Sequence, residues 1–338
     1  MNINQNHWTR SFFLGAILAS ATLLNSPVLA QQEQQQQESS ADAVRGLSQR
    51  AGGKVDARHV VGLENIKRNL SGSLIVLDGE LQFQAGKMNA NLPLAFIDDI
   101  SVGTEITQAG GRAGTVAKTA AIAAPYESGA ALSVLRRTTV DTLTVSNRDS
   151  DGGLHYAILA LSKGQGQQQR AQLITAGAHV RAPSGQGLPE GKPAAPEALK
   201  ANGSKLSASA IQIEPVDAGN VWIPTEFRAA IYEYLVLRVR ESGKFQQVFR
   251  SGDRAAAGVR DLITLHTTVE KFKQGSQMQR EITTVLGSTN VGVDAWVTDR
   301  DGRVVLADRV QGKVRFFGEN LGATNDLAKR IAKRLKQE

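Results

Sequence analysis

Residues 71–83 read SGSLIVLDGELQF, and this stretch decides the fold class of the amino-terminal half. Two apolar runs, 73–77 and 80–84, flank Asp78-Gly79. Asp-Gly tolerates the positive φ angles of a two-residue turn, so the stretch predicts a β-hairpin. Outward from it, short alternating runs predict strands at 60–67, 95–102, 131–136, 140–147 and 154–161. A helix is expected over 167–176, with Ala171, Leu173 and Ile174 apolar and Gly177 as its stop. Seven strands and one helix thus occupy residues 58–178, interrupted by an insertion at 104–129 rich in Gly, Ala and Thr.

The carboxy-terminal half, residues 209–337, mixes the two periodicities. A strand is expected at 209–214. A helix follows over 224–240, with Phe227, Ile231, Tyr234 and Leu235 on one face. Strands are expected at 245–249, 262–272, 292–298 and 304–314, the last two joined by the turn Asp299-Arg300-Asp301-Gly302. A closing helix runs from Asn320 or Thr324 to Lys336, with Leu327, Ile331 and Leu335 four apart. The predicted order is β-α-β-β-β-β-α, with both helices on one face of a mostly antiparallel sheet.

Between the halves, residues 179–208 include HVRAPSGQGLPEGKPAAPEALKANGSK and hold Pro183, Pro189, Pro193 and Pro196. That composition predicts a semi-extended linker. Residues 31–57 begin QQEQQQQESS and lack apolar periodicity, as expected of a disordered tether. Residues 1–30 carry a basic residue at Arg10, a 14-residue apolar run at 11–24, a break at Asn25-Ser26-Pro27 and Val28-Leu29-Ala30. This is the pattern of a signal peptide cleaved after Ala30. The run is shorter than the ~20 residues a membrane-spanning helix needs. Export to the bacterial periplasm is the expectation, with secretion as the alternative.

Two resemblances follow from these motifs. The hairpin at 71–83 and the stretch GGLHYAILALSKGQ at 152–165 resemble bacterial domains of the PH/GRAM-like group. That resemblance implies a seven-stranded PH-like β-barrel capped by its C-terminal helix, a scaffold for lipid headgroups, peptides or proteins. In the second half, IQIEPVD at 211–217 and LGSTNVGVDAWVTDRDGRVVLADRV at 286–310 resemble uncharacterised bacterial envelope proteins. Their α/β fold is similar to the TolB amino-terminal domain and to the periplasmic part of the curli secretion channel CsgG. This second resemblance implies an assembly or adaptor role at the envelope without chemistry of its own. The overall fold class expected is α+β.

Composition narrows the chemistry. The chain has 338 residues, 41% of them apolar, and no cysteine. Thiolate zinc sites, iron–sulfur clusters, disulfides and cysteine nucleophiles are therefore excluded. Beyond residue 30 the histidines are His59, His155, His179 and His266, none at a metal-ligand spacing. Neither a GxSxG elbow nor a complete phosphate loop occurs: Arg112 and Ala117 stand where the phosphate loop ending at Lys118-Thr119 needs glycine. The two Asp-Gly turns stop short of a calcium loop and read as hairpin turns. No enzyme activity, cofactor or metal is expected.

The net charge is +7. Five cations, Lys329, Arg330, Lys333, Arg334 and Lys336, lie on the closing helix, where they oppose the helix dipole favourably. They are also a candidate docking face for an acidic partner or an anionic lipid surface. Arg112 and Lys118 mark a second docking candidate in the insertion. No aromatic interleaving accompanies the charges, which disfavours nucleic acid. The function expected is an exported, non-enzymatic adaptor or assembly protein of the cell envelope with an envelope protein partner. The alternative is a ligand-binding module that recognises a lipid or peptide through the barrel.

Overall fold

A computed structural model describes residues 53–108, 137–180, 206–275, 288–314 and 320–338. The fold is α+β: two sheets and, among the described residues, three α-helices. The first sheet contains β1 (Val55–Val61), β2 (Ser71–Leu77), β3 (Glu80–Ala85), β4 (Met88–Pro93), β5 (Ile97–Gln108), β6 (Arg137–Arg148) and β7 (Leu154–Ser162). Their order is β4-β3-β2-β1-β7-β6-β5, and every pairing is antiparallel. The β2–β3 turn has Asp78 at φ 52° and Gly79 at φ 76°, with Leu77 opposite Glu80. Two consecutive positive φ angles are what the two-residue hairpin demands.

Among the described residues β4 and β5 are the two edges of this sheet, which closes no barrel. Its first strand begins at Val55, inside the stretch expected to be a tether, and ends where Gly62 turns the chain at φ 102°. A Cβ there would sit 1.6 Å from the Tyr156 carbonyl oxygen, so only glycine permits this crossing of β7. Strand β4, MNANLP, was not expected: Met88, Ala90 and Leu92 alternate with exposed Asn89 and Asn91, but Asn, Ala and Pro are poor strand formers. The strand expected at 131–136 and most of the 104–129 insertion, with Arg112 and Lys118, lie outside the described residues. Helix α1 (Gln165–Thr175) follows β7 and inserts Leu173, fully buried, among Leu74, Phe83, Ile97, Leu143 and Leu159.

The second sheet has β8 (Ala210–Ile213), β9 (Gln247–Arg250), β10 (Leu262–Lys273), β11 (Thr289–Thr298) and β12 (Val304–Val314). Its order is β12-β11-β10-β8-β9. β8 runs parallel to both neighbours, so half of the pairings are parallel rather than mostly antiparallel as expected. The cause is helix α2 (Thr225–Ser242), which returns the chain for a parallel crossover between β8 and β9. Helix α3 (Gly322–Gln337) packs on β11 and β12 beside α2.

The two halves share a core. α2 buries Phe227, Ile231 and Leu235, but also Ala229, Ala230, Tyr232, Glu233 and Val236, so it is covered nearly all round. A helix with no solvent face lies between two layers. Here the layers are Val60, Val61, Leu154 and Ile158 from β1 and β7, and Ile211, Leu265, Val293 and Val297 from the second sheet. The described residues accordingly form one compact unit.

Candidate functional site

α3 is built by a plain amphipathic division. Ala323, Leu327, Ala328, Ile331 and Leu335 are buried, while Lys329, Arg330, Lys333, Arg334 and Lys336 are exposed. Its close approach to β12 needs Gly312, whose Cβ would stand 2.2 Å from the Ala323 carbonyl oxygen and 2.7 Å from Leu327. Arg238 of α2 fixes the other side, donating from Nε and Nη2 to Asn325 Oδ1 at 2.9 and 2.7 Å.

Between α3 and the outer side of β12 runs an open groove of about 790 Å³. Four of the predicted docking cations border it: Lys329, Arg330, Lys333 and Arg334. The fifth, Lys336, points elsewhere and donates to the Ser242 carbonyl at 3.0 Å, where it caps the end of α2. Arg330 pairs with Asp326 at 3.0 Å, and Arg334 reaches Asp308 and Glu338, each at 3.4 Å. Among the described residues no carboxylate pairs with Lys329 or Lys333. β12 adds Arg309, which the sequence reading missed, held by a two-pronged contact with Asp294 at 2.7 and 3.0 Å. Its alternation with Glu270 and Asp294 across neighbouring strands becomes visible only once the register is known.

A second polar cluster is enclosed. Arg250 of β9 meets Glu233 of α2 through Nη1–Oε1 at 2.7 Å and Nη2–Oε2 at 2.9 Å. Arg250 Nη1 also donates to the Leu154 carbonyl at 3.0 Å, and the Tyr156 N–H donates to Glu233 Oε1 at 2.8 Å. Tyr232 donates its hydroxyl proton to Leu154 O and accepts from the Ser251 N–H. Burial opposes the charge on Arg250, but the Glu233 carboxylate outweighs it and the guanidinium is pushed up. Burial likewise pushes the Tyr156 and Tyr232 hydroxyls up. These groups bond to one another at the seam between the halves, with Arg250 Nε left over, a structural arrangement.

The histidines are dispersed. His59 Nδ1 donates to Lys67 O at 3.1 Å while its Nε2 accepts from the Leu63 N–H at 3.1 Å. His155 Nε2 contacts Asp149 Oδ2 at 2.9 Å, and His266 stacks on Trp296 with centroids 5.3 Å apart. His179 is exposed at the end of the first half. Among the described residues no group of three or more His, Asp or Glu could hold a metal.

The two Asp-Gly turns have one geometry. Asp149 Oδ1 accepts from the N–H groups of Asp151 and Gly153, and Asp299 Oδ1 accepts from those of Asp301 and Arg303. The carboxylates are spent on their own turns, as the hairpin reading requires.

No family model matches the chain, and no curated protein does. Solved structures give faint likenesses. The PelC dodecamer from Paraburkholderia phytofirmans is 12% identical at a TM-score of 0.31, covering 38% of this chain and 88% of that one. A single-substitution form of the same dodecamer is 13% identical at a TM-score of 0.30, covering 38% and 87%. A Caulobacter crescentus CB15 protein, provisionally described as a lipoprotein, is 15% identical at 0.24, covering 37% and 85%. Likenesses of this size assign neither fold family nor function.

Proposed function

We propose that the protein is a non-enzymatic adaptor or assembly factor of the bacterial cell envelope, exported to the periplasm, and that it acts through protein–protein contacts. The observation that carries this reading is the groove between β12 and α3, open, lined by cations and bordered by Lys329 and Lys333. A shallow polar surface of this kind suits a macromolecular partner better than a small substrate, which favours enclosed and largely apolar pockets. In keeping with this, Glu233 and Arg250, both buried at the seam between the sheets, neutralise each other.

The meander order with β1 beside β7, followed by a helix whose Leu173 seats in the sheet, supports kinship of the first half with PH-like domains. The order β-α-β-β-β-β-α supports kinship of the second half with the TolB amino-terminal and CsgG-like fold.

The test is site-specific photocrosslinking of the full chain in intact cells, with the reactive residue at position 333 or, as control, at the exposed Lys87 of the β3–β4 turn. A defined polypeptide captured from 333 and not from 87 is the expected result. Lipid adducts alone, or equal capture from both positions, would overturn the proposal.

A further inference from the structure

β12 is the last strand of its sheet, and among the described residues nothing pairs with its outer side. The Lys313 N–H identifies which backbone groups look outward, because it donates to Asp326 Oδ2 of α3 at 3.1 Å and not to β11. In an antiparallel strand the outward groups recur at every second residue. The N–H and C=O of Gln311, Arg309 and Ala307 therefore face the same way as those of Lys313. The side chains agree: Arg309 then stands opposite Asp294 in a non-hydrogen-bonded pair, the kind in which side chains come closest. Those two side chains do meet, at 2.7 Å.

Over this row of outward backbone groups, of which the Lys313 N–H is already bonded to Asp326, hangs one stripe of α3. Asp326, Arg330, Lys333 and Gln337 follow the i, i+4, i+7, i+11 spacing of a helix flank, and all four border the groove. Asp308 and Asp326 are already engaged by Arg334 and Arg330, so the positive field of Lys329 and Lys333 is left uncompensated among the described residues. A free strand edge supplies main-chain hydrogen bonds, and an overhanging cationic stripe selects what lies along it.

We infer that the outer edge of β12, beneath α3, takes an extended acidic segment of a partner protein as a sixth strand of the sheet. This inference rests on the docking reading above and adds the partner's chemistry: a β-conformation backbone, with Asp or Glu at alternate positions facing Lys329 and Lys333. A second copy of this chain fits poorly, since edge-to-edge pairing about a two-fold axis would bring two cationic stripes together.

The experiment uses the full chain and a fluorescent eight-residue peptide alternating valine and glutamate, followed by polarisation. Binding is expected, weakened by about tenfold in high salt and by about tenfold in the variant K329E/K333E. The same peptide with lysine in place of glutamate should not bind. Two further peptides carry N-methyl groups on one or the other alternate set of amides, and only one of the two should lose binding. Gln311→Pro removes an outward N–H without touching the ladder to β11, so it should weaken binding while the thermal melt stays unchanged. Equal behaviour of the two methylated peptides, or unimpaired binding by Gln311→Pro, would overturn strand addition. So would binding to phosphatidylglycerol vesicles with none to the peptide. If crosslinking from position 333 captures a protein while the methylated peptides behave alike, strand addition falls and the docking reading stands. If crosslinking from 333 captures no protein, the docking reading itself falls.

Discussion

Glu233 and Arg250 close a two-pronged ion pair at 2.7 and 2.9 Å, with side chains only 3% and 7% exposed, at the seam between the sheets. The same groups hold the start of β7 through Leu154 O and Tyr156 N–H, so the pair joins three elements. Removing one partner leaves a buried charge without its counterion. Glu233→Gln or Arg250→Met should each cost about 3–5 kcal/mol. The double variant should cost less than the sum of the two, as a double-mutant cycle in urea would register.

His59 should make the fold acid-sensitive. It is buried, and burial holds its pKa below the ordinary value of 6.5. Its Nδ1 carries the proton given to Lys67 O, while Nε2 must stay unprotonated to accept from Leu63 N–H. With the folded pKa depressed, this stabilisation is fully present above the unfolded pKa and is lost as pH falls through the folded value. Urea midpoints should therefore fall below about pH 6.5. In His59→Gln that part of the pH dependence should disappear.

Asp149 gives a second, lower acid limb. Partial burial alone would raise its pKa, but the hydrogen bond from His155 and those from the Gly153 and Asp151 N–H groups outweigh it, and the carboxyl is held below the ordinary 3.8. Its contribution is present above the unfolded pKa and lost as pH falls through the folded one. Asp149→Ala should cost about 1–2 kcal/mol. Asp299→Ala, which loses two turn hydrogen bonds and no histidine contact, should cost less, as paired thermal melts would show.

Gly312 is a spacing residue for the groove. Gly312→Ala would press a methyl group against the Ala323 carbonyl and Leu327, forcing α3 away from β12. A loss of about 1–3 kcal/mol is expected, the range for overpacking. Gly292→Ala on β11, whose Cβ would find its nearest neighbour at 3.5 Å, should be close to neutral. Equal effects in thermal denaturation would contradict this assignment.

Legibility in the sequence followed the strength of each local signal. β12 matches its expected bounds, 304–314, and the β2–β3 hairpin is set by Asp78-Gly79, because alternation and turn chemistry act over a few residues. The cationic flank of α3 was equally visible, since the inward Leu327, Ile331 and Leu335 recur every four residues. β4 escaped because Asn, Ala and Pro are poor strand formers, although Met88, Ala90 and Leu92 do alternate with exposed asparagines. α2 was read through one stripe, Phe227, Ile231, Tyr234 and Leu235. Its other faces, Ala229, Ala230, Tyr232 and Val236, are buried as well, in the core that the two halves share. The clue was the scarcity of charge along FRAAIYEYLVLRV, where Glu233 sits as an isolated carboxylate. Its partner lies 17 residues away and meets it only through tertiary packing, which no local pattern encodes.

The all-round burial of α2 bears on how the polypeptide could be divided. Because α2 from one half is buried in a core shared with the other, the halves should stay associated when the chain is cut between them. A protease cut there should yield two fragments that still co-elute. Co-produced pieces ending at 180 and starting at 206 should complement each other, whereas either alone would expose an apolar face and aggregate. Recovery of either half alone as a stable monomer would show that the shared core is not needed to hold it.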